Sequence, residues 1–223
     1  MPQRIIRIEN AGPAFRARRI FFEDDQLPRT TASAVVKKLG IVVGDEVDRP
    51  ILEATLRAEE LPLAKERALQ LIGYRERSVA ELESKLRDSG FPIDIAAAVV
   101  ERFREVELVD DARFASAWVR SRKAAGYGSR RISRELADKG VAAEIVEAVL
   151  APTEGDADEV SLAVRSLRGR TPRDRADSQR LIRRLLGRGF DLSAARSAVE
   201  IAQRAPGTDS DGNSDPDTYD YLR

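Results

Sequence analysis

Residues 78–100, SVAELESKLRDSGFPIDIAAAVV, set beside residues 129–150, SRRISRELADKGVAAEIVEAVL, and residues 177–199, DSQRLIRRLLGRGFDLSAARSAV, decide the fold. Aligned on Gly90, Gly140 and Gly189, which recur at intervals of 50 and 49 residues, the three segments stay in step. Leu86, Leu136 and Leu185 stand four residues before the glycines, Leu82, Ile132 and Leu181 eight before, and Phe91, Val141 and Phe190 directly after. A spacing of four keeps apolar groups on one face of a helix, so each segment reads as an amphipathic helix stopped at its glycine. A fixed period over the chain marks a repeated supersecondary unit.

Outward from the glycines the repeat widens. A second helix follows each one, marked by Ile95 with Val99, by Ile145 with Val149, and more weakly by Ala194 with Ala198. Another helix precedes each segment, carrying Ala68, Leu69 and Ile72, then Phe114, Ala115 and Trp118, then Leu162, Ala163 and Leu167. The spacing therefore predicts three tandem three-helix repeats. One such unit is too small to bury its apolar face alone, so stacked neighbours should form an elongated, gently curved array whose extended surfaces suit extended partners.

Upstream, RIIRIE and FRARRIFFE place apolar groups in short β-rich runs separated by Asn10, Gly12 and Pro13, the pattern of a hairpin. A short helix from about Thr31 to Leu39, with Thr and Ser available to cap it, precedes a turn at Gly44-Asp45. The expected organisation is a small α+β region over 1–48, a linker helix with the first repeat over 49–109, the second repeat over 110–153, the third over 154–204, and a tail over 205–223. That tail, APGTDSDGNSDPDTYDYLR, is rich in Asp, Ser, Gly and Pro and cannot bury enough apolar area to offset its ordering entropy, which predicts disorder.

The 223 residues suffice for a sizeable core, and 42% hydrophobic residues with few aromatics point to a mainly α protein built from Leu, Val, Ile and Ala. Cysteine is absent, which excludes disulfides and thiolate metal sites. The opening MPQRIIRIENAG has too short an apolar stretch for a secretory signal, and no long apolar run follows, so a soluble cytoplasmic protein without membrane contact is expected. The formal charge is zero, but the tail holds five Asp against one Arg, so its −4 masks +4 on the rest of the chain.

That excess is concentrated. Arg120, Arg122, Lys123, Arg130, Arg131 and Arg134 follow one another with no acidic residue among them. If Phe114, Ala115 and Trp118 face the core, Arg120 and Lys123 share an exposed face, and across the GYG turn Arg130 and Arg134 share another at i and i+4. Guanidinium groups bridge phosphate or carboxylate oxygens in pairs, so this ridge is a candidate for a nucleic-acid backbone or for an acidic protein rim, against the plainer reading of a solvated helix surface. Tyr127, between two glycines, is the candidate exposed aromatic contact, or simply fills the turn. A second patch, Arg170, Arg173, Arg175, Arg183 and Arg184, reads as a binding arm around GRTPRDR or as a solvated loop whose helix-end arginines complement the dipole. Asp110-Asp111 reads as an N-cap with its first-turn residue, not a metal pair, and Trp118 as a packing residue. With no His, no Cys, no Walker loop and no GxSxG elbow, neither catalysis, metal nor cofactor is expected.

The second unit, LVDDARFASAWVRSRKAAGYGSRRISRELADKGV, resembles the core motif of the RecX family. Asp110-Asp111 match the paired Asp that opens the helix there, followed by Phe114-Ala115, Trp118-Val119, Gly128, Ile132, Glu135-Leu136 and Lys139-Gly140. Ser78, Glu81-Leu82, Lys85-Leu86 and Gly90-Phe91 are similar to the family pattern in the first unit; the third unit is weaker and the tail is outside it. The resemblance implies a monomeric regulator of DNA repair, homologous recombination and the SOS response. Such a protein lies in the groove of RecA–DNA filaments, touching DNA directly or through RecA, and depresses their ATPase, strand-exchange and coprotease activities. The residues themselves equally allow a stand-alone helical DNA- or RNA-binding module, or a protein-interaction scaffold without nucleic-acid contact.

Overall fold

The computed structural model describes residues 2–23, 27–151 and 158–204, so the acidic tail lies outside the described residues. The chain is mainly α with a strand cap at its N-terminus. The expected hairpin is β1 (Pro2–Ala11) against β2 (Ala17–Phe22), antiparallel with Ile8 opposite Ile20 and Ala11 opposite Ala17. Two further strands, β3 (Arg29–Ala32) and β4 (Glu46–Asp48), complete an antiparallel sheet in the order β3-β2-β1-β4. Neither was foreseen, since four and three residues are too few to display a period of two.

Helix α1 (Ser33–Leu39) ends on Gly40 in the left-handed conformation. Its cap position is Ala32, with no side-chain bond, so the expected Thr or Ser cap does not form. Thr31 instead sits buried in β3 and donates to Glu60 Oε1 at 2.6 Å. Glu60 lies in α2 (Arg49–Tyr74), a helix that turns Leu52, Leu56, Ala64 and Ala68 inward at helical spacing and buries this carboxylate with them. Arg29 satisfies it with two bonds of 3.0 Å and also reaches Glu53 at 2.7 Å. Burial works against the Arg29 charge, but Glu53 and Glu60 outweigh it and raise the guanidinium above its ordinary value. A buried carboxylate without this partner would cost several kcal/mol, roughly 3–5 in measured cases, so the pair pins the sheet to α2.

Helices α3 (Val79–Asp88) and α4 (Ile93–Glu105) follow α2 in the first repeat. Helices α5 (Asp111–Ala124), α6 (Ser129–Asp138) and α7 (Ala143–Leu150) follow in the second, and α8 (Glu159–Ser166), α9 (Arg175–Gly187) and α10 (Leu192–Arg204) in the third. All nine of the aligned apolar positions, from Leu82 to Phe190, are buried. Leu69 is not: it is half exposed at 51% while Ala68 beside it is sealed, because the inward face of this stretch of α2 runs through Ala64, Ala68 and Leu71. In α7 the inward place goes to Val146, with Ile145 and Val149 half-buried.

Gly90, Gly140 and Gly189 all adopt positive φ, at 94°, 73° and 90°. They end helices in the left-handed conformation that a side chain disfavours. The Asp pair behaves as a cap: Asp110 Oδ1 accepts from the N–H groups of Ala112 (2.7 Å) and Arg113 (3.0 Å), and Asp111 Oδ1 from Val79 N at 2.9 Å. The Arg113 N–H in particular holds the Asp110 carboxyl below its ordinary value, whereas burial pushes Asp111 up against the pull of Val79.

The chain divides into two compact units: residues 1–117 with 136–149, and residues 118–135 with the described residues from 150 onward. The first has a core running from Ile5, Ile20 and Phe22 through Leu56 to Phe103 and Val109. The second packs Ala163, Leu167, Leu185, Phe190, Ala198 and Val199. Among the described residues no helix is long and apolar enough to cross a membrane.

Candidate nucleic-acid and partner interface

The basic ridge lies wholly within the second unit, and its backbone is fixed from below. Helix α5 stops after Ala124, and Gly126, at φ 81°, reverses the chain. The N–H groups of Gly126 and Tyr127 donate to the carbonyls of Lys123 (3.0 Å) and Arg122 (3.1 Å), closing the last turn of α5. The start of α6 is satisfied from the third repeat: Gly128 N donates to Arg188 O at 2.9 Å and Arg130 N to Gly189 O at 3.1 Å. Glu159 adds a carboxylate at the same helix start, accepting from Ser129 N (3.1 Å) and Ser129 Oγ (2.7 Å), where the helix dipole favours negative charge. No Cβ fits at Gly128, since it would lie 2.5 Å from the Gly189 carbonyl carbon.

The side chains divide into two groups. Glu135, one residue beyond the acid-free stretch, gathers Arg122 at 2.7 Å, Arg131 at 3.0 Å and the Trp118 Nε1 donor at 3.0 Å. The Arg122 guanidinium lies 4.5 Å from the Trp118 ring centre, and the Tyr127 ring is faced by Arg131 at 4.1 Å, Arg122 at 5.6 Å and Arg188 at 5.8 Å. Arg122, Arg131 and Tyr127 are thus engaged within the protein, and Trp118 is a half-buried member of the same network, tied down by its indole N–H as well as by packing. Cation–π contacts of this kind contribute about 0.5–2 kcal/mol each, so the cluster fixes the helices about the turn.

Arg120, Arg130 and Arg134 are exposed, and Lys123 is half-buried. Arg130 and Arg134 project from α6 one turn apart. Close to Arg130 lies Asp191, whose carboxyl is held below its ordinary value first by the Ala194 N–H, then by the Ser193 hydroxyl, with the Arg130 charge adding to both. Arg120 and Lys123 turn into a groove shared with Arg165 and Arg168 at the end of α8. In the second patch Arg170, Arg173, Arg175 and Arg183 are exposed and Arg184 is half-buried. Asp174 caps α9 by accepting from Asp177 N at 2.8 Å, which puts Arg175 in the first helical turn, where the dipole opposes a cation. The dipole argument therefore fits Arg184 but not Arg175.

Sequence reasoning missed Glu135 and Glu159 as organising carboxylates. The i, i+4 step from Arg131 to Glu135 was readable, but the reach from Trp118 depends on how α5 folds back on α6. Among the described residues no group of three or more His, Asp or Glu could hold a metal ion.

Two family models match the chain: "RecX, first three-helix domain" over residues 64–103 and "RecX, second three-helix domain" over 110–150. The chain is 39% identical over 158 residues to the regulatory protein RecX of Mycolicibacterium vanbaalenii, covering 66% of this chain and 84% of that one. It is 37% identical over 145 residues to the regulatory protein RecX of Xanthomonas citri, covering 64% and 88%. In fold it is similar to a crystal structure of regulatory protein RecX, with a TM-score of 0.54 at 22% identity over 86% of this chain and 96% of that one. It is also similar to RecX from Lactobacillus salivarius, with a TM-score of 0.56 at 20% identity over 65% and 97%.

Proposed function

The chain belongs to the RecX family, and from that premise we propose that it is a negative modulator of RecA. It binds in the groove of RecA–DNA filaments and lowers their ATPase, strand-exchange and coprotease activities. The observation that supports this reading is the set of exposed cations Arg120, Arg130 and Arg134 on helices whose positions are fixed by internal bonds. Cations on a rigid frame lose little entropy when they engage an anionic partner. Inhibition then follows from steric occupation and from tighter binding to one filament conformation than to another, because only a difference in affinity shifts that equilibrium.

The test is co-sedimentation with preformed RecA–DNA filaments alongside ATP hydrolysis. The wild-type chain is expected to pellet with filaments and slow hydrolysis, and the triple reversal of Arg120, Arg130 and Arg134 to Glu to lose both effects. Arg131 stays unchanged, since it pairs with Glu135. A wild-type chain that neither pellets nor alters hydrolysis would overturn the proposal.

A further inference from the structure

In the first unit, the outer edge of β1 is open over its second half. Strand β4 pairs with β1 only over Pro2, Gln3 and Arg4, and the turn before β4 adds two bonds at Ile5: Ile5 N donates to Asp45 O at 2.9 Å and Gly44 N to Ile5 O at 2.8 Å. Among the described residues no strand lies on that side of residues 6–11. Two exposed apolar side chains stand beside this window, Ile6 at 51% and Val43, next to Gly44, at 57%. An uncovered edge of this kind is a template for a further strand.

The ladder fixes which main-chain groups face outward. Successive residues of an antiparallel strand turn their N–H and C=O groups to opposite sides. Arg16 O accepts from Ser33 N, so Arg16 faces β3, and with it Arg18 and Ile20, whereas Ala17, Arg19 and Phe21 face β1. The partners of these last three, Ala11, Glu9 and Arg7, therefore bond to β2, and Ile8 and Asn10 turn their N–H and C=O groups to the open edge. Ile5 faces outward as well, and the one extra residue that β1 carries between Ile5 and Arg7, a bulge, restores the alternation beyond it.

Charge then selects the occupant. Arg7 and Glu9 are exposed on one face, their side chains 3.1 Å apart, with Ile8 between them in the chain. We propose that this edge pairs with the same edge of a second copy of the chain, antiparallel about a two-fold axis at Ile8. Each Ile8 then exchanges both of its main-chain bonds with the other, and each Arg7 stands opposite the Glu9 of the second copy in the closer, non-hydrogen-bonded pairs on either side. A two-fold at Arg7 or at Glu9 would set like charges against each other, and one at Asn10 would leave Arg7 without a partner. The charges that ordinarily keep edges apart thus match in one register. A window of six residues is short, so the association is weak and depends on concentration. It needs neither RecA nor DNA and stands or falls separately from the filament reading.

The experiment is sedimentation equilibrium of the full chain, without RecA or DNA, over a concentration series at low salt, where exposed charge pairs are least screened. Wild type is expected to gain average mass with concentration and to approach that of two chains. Arg7→Glu sets carboxylates opposite each other and Glu9→Arg sets guanidiniums opposite each other, so each variant alone is expected to stay monomeric. Mixed in equal amounts, the two variants present opposite charges at both positions, and the mixture is expected to regain the wild-type curve, which repair of a misfolded chain could not give. Glu9 also stands opposite Arg19 on β2, so circular dichroism checks each fold. Should a single variant unfold, the double variant Arg7→Glu with Glu9→Arg decides in its place: association supports the proposal, and a monomer overturns it. A wild type that stays monomeric up to its solubility limit would overturn it too, leaving the edge to an extended segment of another protein. Single variants that associate like wild type, or a mixture of folded variants that stays monomeric, would do the same.

Discussion

Ser78 Oγ donates to the main-chain carbonyl of Lys139 at 2.6 Å, joining the start of α3 to the turn after α6 across 61 residues of sequence. The same oxygen accepts from Glu81 N at 3.0 Å and so caps α3, and the side chain is wholly buried. One hydroxyl thus serves a helix cap and an inter-repeat bond. Ser78→Ala removes a cap worth about 1 kcal/mol and leaves a carbonyl unsatisfied at about 1–3 kcal/mol, so a loss of roughly 2–4 kcal/mol is expected in urea denaturation. An unchanged midpoint would mean that solvent reaches the Lys139 carbonyl.

The turn after α9 predicts opposite signs two residues apart. Gly189 has φ 90°, and a Cβ there would lie 2.5 Å from the Arg131 backbone nitrogen, which cannot move without breaking the start of α6. Gly189→Ala combines left-handed strain with overpacking and should cost roughly 2–5 kcal/mol. Gly187, the last residue of α9, has nothing within 4 Å of its Cβ position, and Gly187→Ala should gain up to about 1 kcal/mol. Thermal melting of the two variants checks both signs.

These two glycines mark what the sequence made legible and what it did not. Periodicity located the helices, their apolar faces and the glycines that end them, because those features depend on residues within a turn or two. It did not show why Gly189 must be glycine, since Arg131 approaches it only in the folded chain. Glu60 likewise reads as a solvated helical residue until Arg29 and Thr31 arrive from 31 and 29 residues away. At the candidate site the count of cations was legible, but not their partition. Glu135 draws Arg122 and Arg131 inward, whereas the groove at the end of α8 brings Arg165, Arg168 and Arg188 beside Arg120 and Lys123.

Glu81 ties the first unit to a definite acid response. Burial alone would raise its carboxyl, but the bonds from Arg75 (3.0 Å) and Lys139 (2.9 Å) outweigh it and hold the group at about 2, against an ordinary 4.5. The unfolded chain therefore binds the extra proton first, and the contribution of Glu81, up to about 3 kcal/mol, is complete above pH 4.5 and lost as pH falls through about 2. Wild type and Glu81→Gln should differ most near neutrality and converge at the acid end of a pH series of urea melts. A gap that persists at pH 2 would assign the difference to something other than this ionisation.

Glu135 sets stability against binding. Its carboxylate, 18% exposed, neutralises Arg122 and Arg131 and accepts from Trp118, the single tryptophan of the chain. Glu135→Gln keeps the shape but removes the charge, which should cost roughly 1–3 kcal/mol and change the Trp118 emission of the folded protein. Arg122 then loses its carboxylate partner, and Arg131 one of its contacts, beside Arg120, Arg130 and Arg134. Affinity for an oligonucleotide should rise, and its salt dependence should steepen by up to about 0.7 for each arginine that reaches a phosphate. If stability falls while affinity and slope stay fixed, the stacking on Tyr127 and Trp118 alone suffices to hold Arg122 and Arg131 in place, and the external surface is confined to the three exposed arginines and the groove.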